Sequence, residues 1–180
     1  QYAYQILSLC QQAEDSLTAM QRSLPIRLGA SITIGDIFLV ELLTYCRRTR
    51  PDWSILSAIH NTEELEQFLI EDKLDLALVE GRVQSPYLVS RPILTDYLTL
   101  IASPDSEWSR KAITAPQDLD GLPVFVREQG SGTRDLFERV LEAHHLTCQV
   151  VGVYNNSEAI KKAVMANLGV SVLSRRLVQN

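Results

Sequence analysis

The sequence has few cysteines and histidines and no long apolar run. Its three cysteines, Cys10, Cys46 and Cys148, are odd in number, and none lies in a CxxC pattern. This excludes a disulfide framework or a zinc site, so we expect reduced thiols, no metal and no cofactor. No run approaches the roughly 18 apolar residues of a membrane span. Residues 1–24 also lack the basic start and apolar centre of a signal peptide. We therefore expect a cytoplasmic protein that does not engage a membrane.

The chain has no excess of positive charge. Its 17 Lys and Arg residues against 22 Asp and Glu residues give a formal net charge of -5. A broad phosphate-binding surface is usually visibly basic, so any contact with DNA is expected to come from residues outside this chain. The first residue is Gln1 rather than Met, and we expect the chain to belong to a longer protein.

The sequence shows no arrangement of residues typical of an enzyme. His60, His144 and His145 are the only histidines, and no serine lies in a GxSxG pattern. A two-lobed enzyme such as a deaminase or dehydratase would need a catalytic side chain in its cleft. Glu80 and Asp96 are the only faint candidates, and an ion pair or a strand-end cap explains both better. We predict that the protein is not an enzyme.

Residues 2–24 contain no Gly or Pro and are predicted to form one helix. Its apolar positions alternate steps of three and four, the spacing of a coiled-coil seam over about three heptads: Ala3, Ile6, Cys10, Ala13, Leu17, Met20 and Leu24. Two interpretations remain open on this pattern alone. The stripe either packs on the protein's own domain or pairs with a partner helix.

From Pro25 onward, short apolar runs alternate with helical patterns. Strands are predicted at 26–32, 53–59, 74–79, 123–127, 148–153 and 170–173, extended segments at 87–94 and 97–102, and helices at 36–49, 62–71, 131–144 and 157–166. This order predicts an α/β protein with two Rossmann-like lobes, over residues 25–95 and 96–180. Two such lobes create a cleft at the carboxyl ends of their strands, where ligands bind in open α/β sheets.

The most informative motif is Arg127-Glu128-Gln129-Gly130-Ser131-Gly132-Thr133-Arg134, which follows a strand and opens a helix. Its glycines allow close approach of the backbone to a ligand, and Ser131 and Thr133 supply hydroxyls. The first N–H groups of a helix lack intrahelical partners and favour a negative charge. The motif therefore indicates an anion site at Ser131, Gly132 and Thr133, or else a glycine-rich turn with a Ser or Thr cap. It is not a P-loop, because the lysine of that motif is missing.

Two further strand-to-helix junctions carry polar residues. Ser31 and Thr33 form one, and Asn155 and Asn156 form the other. Capping of a helix explains each of them when it is taken alone. Taken together, the junctions of both lobes would face the same cleft and could hold one small anion from two sides.

The ordered set of these segments resembles the effector-binding domain of LysR-type transcriptional regulators. The resemblance covers residues 25–180 and is carried by segments spaced along the whole of it: 26–31, 51–52, 74–79, 96–102, 127–134, 159–164 and 167–173. Asn167 and Ser174 depart from the family's usual Gly and Pro. Asn tolerates a positive φ, so the fold is not in doubt.

The resemblance implies a periplasmic-binding-protein-like domain of type 2, preceded by a linker helix at 1–24 that pairs with a second subunit. It also implies a winged helix-turn-helix for DNA ahead of this chain, assembly as a homodimer or homotetramer, and a return segment to the first lobe that this chain does not supply. The effector would be a small, negatively charged metabolite held by Ser31, Thr33, Ser131, Gly132 and Thr133, and less certainly by Asn155 and Asn156. The alternative from another class is a solute-binding protein of a transport system, which uses the same lobes.

Overall fold

A computed structural model describes residues 6, 7, 9–12, 14, 24–111, 113 and 115–179. Most of the predicted linker helix at 1–24 lies outside these residues. Within it, Ile6 and Cys10 are helical and exposed, and the pairing of this helix with a second subunit stays a prediction. In the described part of the chain, no helix combines the length and apolar character needed to cross a bilayer.

The first sheet is fully parallel, with strand order β2-β1-β3. Its strands are β1 (Ile26–Ser31), β2 (Ile55–His60) and β3 (Leu76–Leu78). Ile26 pairs with Ile55, and Leu28 pairs with Leu76. The predicted βαβαβ unit is confirmed, and β3 is left as an edge strand. We call this half of the molecule lobe I.

The first helix of lobe I begins earlier than the sequence predicted. The helix α1 runs from Ile32–Ile34 through a π-helical turn at Gly35–Leu39 into Val40–Thr49. The prediction placed its start at Asp36. The Ser31 hydroxyl accepts a hydrogen bond from Ile34 N at 3.4 Å, so the helix starts directly at the end of β1.

The second helix of lobe I, α2 (Thr62–Ile70), starts with a capping box. Asn61 Oδ1 accepts from Glu64 N at 2.9 Å, and Glu64 Oε2 accepts from Asn61 N at 3.2 Å. The two helices cover opposite faces of the sheet. Leu39 of α1 packs on Leu28 and Ala30, whereas Leu65 of α2 lies over Gly29. A Cβ on Gly29 would stand 2.5 Å from Leu65 Cδ2, so only glycine allows this approach.

The second half, lobe II, has a four-stranded sheet of order β4-β7-β5-β6 in which β4 runs antiparallel to β7. Its strands are β4 (Leu98–Ile101), β5 (Pro123–Arg127), β6 (Gln149–Tyr154) and β7 (Val170–Ser174). Its helices are α3 (Glu107–Arg110), α4 (Gly132–Ala143), α5 (Ser157–Met165) and α6 (Arg175–Gln179), with a 3₁₀ turn at Pro116–Leu119. The sequence did not predict α6.

Helices cover both faces of the lobe II sheet. Phe137 of α4 packs with Val124 and Val126 on one face. Ile160 of α5 packs with Phe125 on the other face. Alternate residues of β5 therefore point to opposite helices, which puts Arg127 on the same face as Phe125.

The segment at 87–94, which the sequence predicted to be extended, forms no β-strand. Tyr87 and Val89 are 86% and 90% exposed. A strand needs a neighbour for its backbone N–H and C=O groups, and the described residues place none beside this segment. Instead, residues 88–98 line an apolar groove whose other wall is formed by β3.

Candidate functional site

The polar residues at the strand ends of the two lobes come together in space. In lobe I, Ser31 ends β1 and Glu80 follows β3; in lobe II, residues 128–133 follow β5 and residues 155–157 follow β6. The helix starts and turns that follow these parallel strands therefore lie in one region. The cleft predicted between the lobes lies here.

The predicted hydroxyls of the two lobes are in direct contact. Thr33 Oγ1 lies 3.4 Å from Thr133 Oγ1, and either oxygen can be the donor. Both side chains are almost completely buried, and so is that of Ser31. The structure therefore brings together Ser31, Thr33 and Thr133 across a separation of 100 residues between the two threonines.

Glu80 places a carboxylate between these hydroxyls. Its Oε1 accepts a hydrogen bond from Thr133 Oγ1 at 3.1 Å, and its Oε2 accepts one from Ser31 Oγ. One carboxylate is thus held by both lobes. Hydrogen bonds to a charged acceptor are stronger than those between neutral groups. The sequence suggested Glu80 only as a faint catalytic candidate and missed this bridge.

The backbones of the lobes also meet at the predicted glycines. A Cβ on Gly132 would overlap the carbonyl oxygen of Glu80. Glu63 N donates to Gly130 O at 3.1 Å, and Gly130 has a φ of +82°, a conformation that glycine adopts without strain. Gly132 therefore acts by allowing close approach, here to a neighbouring strand end.

Ser131 is buried, and its hydroxyl has no hydrogen-bond partner among the described residues. It occupies the cap position of α4 without making the side-chain cap bond. The capping interpretation therefore does not hold for this residue. Buried polar groups without partners are uncommon in native proteins, which marks Ser131 as a functional candidate.

Asn155 and Asn156 are exposed at the start of α5. The side chain of Asn156 caps this helix, because its Oδ1 accepts from Ala159 N at 3.0 Å. This helix-capping bond uses the oxygen of Asn156 and leaves its amide N–H groups as the donors for any other partner. Neither asparagine lines the cavity that contains Thr33, Glu80 and Thr133, and their role in binding stays a prediction.

Two other side chains of lobe II, which the sequence did not predict as binding residues, are buried where β5 and β6 end. Arg127 is buried on the α5 side of β5. Its Nε and Nη2 donate to Glu128 at 2.9 and 3.0 Å, while its Nη1 has no partner in the described part of the chain. The Ser157 hydroxyl is likewise buried and unpartnered there. The alternation of β5 could have revealed Arg127, since Val126 and Phe125 point to opposite helices and Arg127 then shares the buried face of Phe125.

Asp36 of α1 faces these groups from lobe I. Burial of its carboxyl raises the pKa of Asp36 above its usual range. The charge of Glu158 adds to the rise, whereas Arg127, Lys161 and the Ser157 hydroxyl lower the pKa. Asp36 as a whole residue is exposed, so the burial of its carboxyl is only partial. This is a second place where an acidic side chain of lobe I approaches donors of lobe II.

A cavity of about 910 Å³ reaches the hydroxyls of the cleft and includes Thr33, Glu80 and Thr133 in its lining. Most of its remaining wall is the apolar groove between β3 and residues 88–98. The described residues contain no cluster of His, Cys, Asp and Glu able to hold a metal ion.

The fold and the site define a two-lobed α/β domain with a polar cleft at the strand ends. The family described as LysR substrate binding domain matches residues 20–180. The chain therefore belongs to this family, as the resemblance predicted. The family is one of effector-binding domains and not of enzymes, so neither Glu80 nor Asp96 is interpreted as catalytic.

Individual relatives agree with this assignment. The chain is 35% identical over 155 residues to the HTH-type transcriptional regulator YeiE of Escherichia coli (strain K12), covering 86% of this chain and 53% of YeiE. It is 28% identical over 181 residues to the HTH-type transcriptional regulator CysL of Bacillus subtilis (strain 168), covering 99% and 60%. The chain thus spans about half the length of the curated relatives it matches. Because these relatives are regulators, the alternative of a transporter's solute-binding protein is not favoured.

A solved structure shares the fold. The regulatory domain of Synechocystis PCC6803 CcmR, in complex with 2-PG, matches with a TM-score of 0.78 and 26% identity, covering 86% of this chain and 74% of that one.

Proposed function

We propose that this chain is the sensing domain of a bacterial transcription regulator and binds a small, negatively charged metabolite between its two lobes. The binding residues are Ser31 and Thr33 from lobe I and Ser131, Gly132 and Thr133 from lobe II, with Asn155 and Asn156 at the rim. The ligand acts by preferring one arrangement of the lobes, since a ligand with equal affinity for both arrangements would shift nothing.

The observation that carries the proposal is the bridge made by Glu80. Ser31 and Thr133 donate to the two oxygens of one carboxylate from opposite lobes. Ser31, Thr133 and Glu80 therefore form one hydrogen-bonded group between the lobes, which a polar end of a ligand can join. A ligand that takes part in this network would link the lobes through its own oxygens.

The relatives support a small-molecule ligand and the same setting. The CcmR regulatory domain is in complex with 2-PG, and YeiE and CysL are HTH-type transcriptional regulators. We propose by this likeness that the whole protein binds DNA through a winged helix-turn-helix, assembles as a homodimer or homotetramer through the helix at 1–24, and works in the cytoplasm.

We also propose that residues 25–95 and 96–180 are the two lobes, and that a return segment of the LysR fold completes lobe I. The support is the free edge of β3 and the apolar groove beside it. In the full-length protein, the amides of Leu76–Leu78 would then exchange with solvent as slowly as those of β1. Fast exchange at β3 alone would contradict this proposal.

Thermal stabilisation by 2-PG, shikimate, sulfate and phosphate tests the sensing function. A ligand present at 100 times its Kd stabilises the folded state by about 2.7 kcal/mol. We expect Ser31→Ala and Thr133→Ala each to weaken the best ligand at least about tenfold, the equivalent of one lost hydrogen bond of about 1.4 kcal/mol.

Thr44→Ala is the matched control, because Thr44 is exposed on α1 and its hydroxyl donates only to Val40 O. This variant should bind as tightly as the unmodified protein. The proposal fails if the two cleft variants also retain full affinity for the best ligand.

A further inference from the structure

Two buried donors of lobe II remain without partners where β5 and β6 end. Arg127 is 2% exposed and Ser157 is 1% exposed. Arg127 Nη1 and Ser157 Oγ make no hydrogen bond with any described residue. An unpartnered buried donor lowers the stability of the fold by about 1–3 kcal/mol. Two such donors in one region therefore indicate that they bind a ligand.

The fold places these two donors at adjacent strand ends. Arg127 ends β5 and pairs in register with Tyr154 of β6. Ser157 follows three residues later and is the first residue of the nine-residue helix α5. Ala159 N already donates to Asn156 Oδ1, so the earlier N–H groups of this helix start are the ones without a helical acceptor, and the helix dipole favours a negative charge there.

Arg127 is also fixed in position. Its Nε and Nη2 form a two-point ion pair with Glu128, and Arg134 Nη1 donates to Arg127 O at 3.2 Å. The rigid fork of a guanidinium leaves Nη1 as a directed donor once the other nitrogens are engaged. Among the described residues, Arg127 is the only basic side chain that is buried.

An acidic side chain of lobe I already faces this location. The carboxyl of Asp36 lies close to Ser157 and within the electrostatic reach of Arg127. The turn that carries it, Gly35–Leu39, packs against α6 of lobe II. No hydrogen bond of normal length joins Asp36 to Arg127 Nη1 or Ser157 Oγ, although the Ser157 hydroxyl lies near enough to lower the pKa of the Asp36 carboxyl.

We propose that Arg127 Nη1, Ser157 Oγ and the start of α5 form an oxyanion subsite, and that Asp36 competes with the ligand for it. The inference rests on the proposed sensing function and deepens it. The ligand carries a compact oxyanion at one end, such as a carboxylate, sulfate or phosphate, which takes the place of Asp36. Its other end reaches Ser31, Thr133 and Glu80, where the carboxylate of Glu80 favours a hydrogen-donating group such as a hydroxyl.

Calorimetric titration of the intact protein with sulfate, phosphate and 2-PG tests the subsite. We expect Ser157→Ala to weaken the tightest of these anions at least about tenfold, which corresponds to about 1.4 kcal/mol. Asp36→Asn should tighten it severalfold, because the competing carboxylate is lost. Glu41→Gln makes the same change of charge at an exposed position of the same helix, and it should leave the affinity unchanged.

The outcomes separate this inference from the proposed function. If Ser157→Ala binds as well as the unmodified protein, if Glu41→Gln and Asp36→Asn tighten binding equally, or if none of the three anions binds, the oxyanion subsite is wrong. If instead Ser157→Ala weakens binding while Ser31→Ala and Thr133→Ala do not, the subsite stands and the placement of the ligand between the hydroxyls of both lobes is wrong.

Discussion

Thr133 Oγ1 donates a hydrogen bond of 3.1 Å to Glu80 Oε1, although the two residues belong to different lobes and are 53 positions apart. Ser31 donates to the other oxygen of the same carboxylate. Glu80 therefore links lobe I to lobe II by hydrogen bonds at the place where the family's ligand is expected. The stability of this closed arrangement and the binding of a ligand must depend on the same few groups.

Removing the Thr133 hydroxyl should destabilise the closed domain. Thr133→Val keeps the shape of the side chain but leaves the Glu80 carboxylate short of a donor. We expect the free energy of unfolding to fall by about 1–3 kcal/mol. Chemical denaturation measures it, with Thr44→Val as the exposed control. A double-mutant cycle with Glu80→Gln should give a coupling of about 0.5–3 kcal/mol, and simple additivity would show that the contact contributes nothing.

A side chain at position 132 should push the lobes apart. Even the Cβ of Gly132→Ala would overlap Glu80 O and stand 3.1 Å from Thr62 Oγ1. We expect a loss of about 1–3 kcal/mol in the free energy of unfolding and a larger radius in solution scattering. Glu142→Ala, at an exposed position of the same helix, should change neither quantity. An unchanged radius in the Gly132→Ala protein would mean that the lobes do not close as described.

The ion pairs between Arg27 and the loop before β3 should make stability depend on acidic pH. Arg27 Nη2 lies 2.7 Å from Asp75 Oδ1, and hydrogen bonds from Arg27 hold the pKa of Asp75 below its usual range. The lowered pKa means that the pair stabilises the fold above the ordinary aspartate pKa of about 3.9. This contribution is lost as the pH falls through the lower, folded-state pKa.

Asp75→Asn should therefore destabilise the protein near neutral pH, and the difference from the unmodified protein should shrink in strong acid. Denaturation curves across that range measure the difference. Asp105→Asn, at an exposed position, serves as the control. A cost that stays constant at every pH would show that the charge of Asp75 is not its source.

Asp36 should have the opposite dependence on pH. Burial of its carboxyl raises the pKa of Asp36, so the folded state holds the proton more tightly than the unfolded chain does. The resulting penalty is absent below the ordinary pKa and grows as the pH rises through the raised value. Asp36→Asn should thus stabilise the protein at neutral pH but not in acid. Thermal denaturation of both proteins at neutral and at acidic pH measures this difference in stability. A variant that is less stable at neutral pH would mean that attraction to Arg127 outweighs the burial.

The sequence predicted the strands and helices well where a local pattern determines them. The strand β3, from its apolar run, and the start of α4 near Ser131 could be predicted without knowledge of the rest of the fold. The sequence could not show whether the extended segment at 87–94 joins a sheet, because β-structure requires a pairing partner, which composition does not reveal. The early start of α1 depends on the Ser31 cap, a local signal that the placement of the start at Asp36 overlooked.

The site could be predicted only in part. Helix starts with hydroxyls pointed to Ser31, Thr33 and Thr133, and the structure brings these residues together. The bridge through Glu80 depends on how two separate sheets close on each other, and no local pattern contains that orientation. The burial of Arg127 could have been predicted, because the alternation of side chains along β5 puts its guanidinium on a buried face.

A crystal structure with the best stabiliser among 2-PG, shikimate, sulfate and phosphate tests the central claim most directly. The account predicts ligand oxygens within hydrogen-bond distance of Ser31 or Thr33 on one lobe and of Ser131 or Thr133 on the other. A ligand that contacts only one lobe, or that binds outside the cleft, would contradict it.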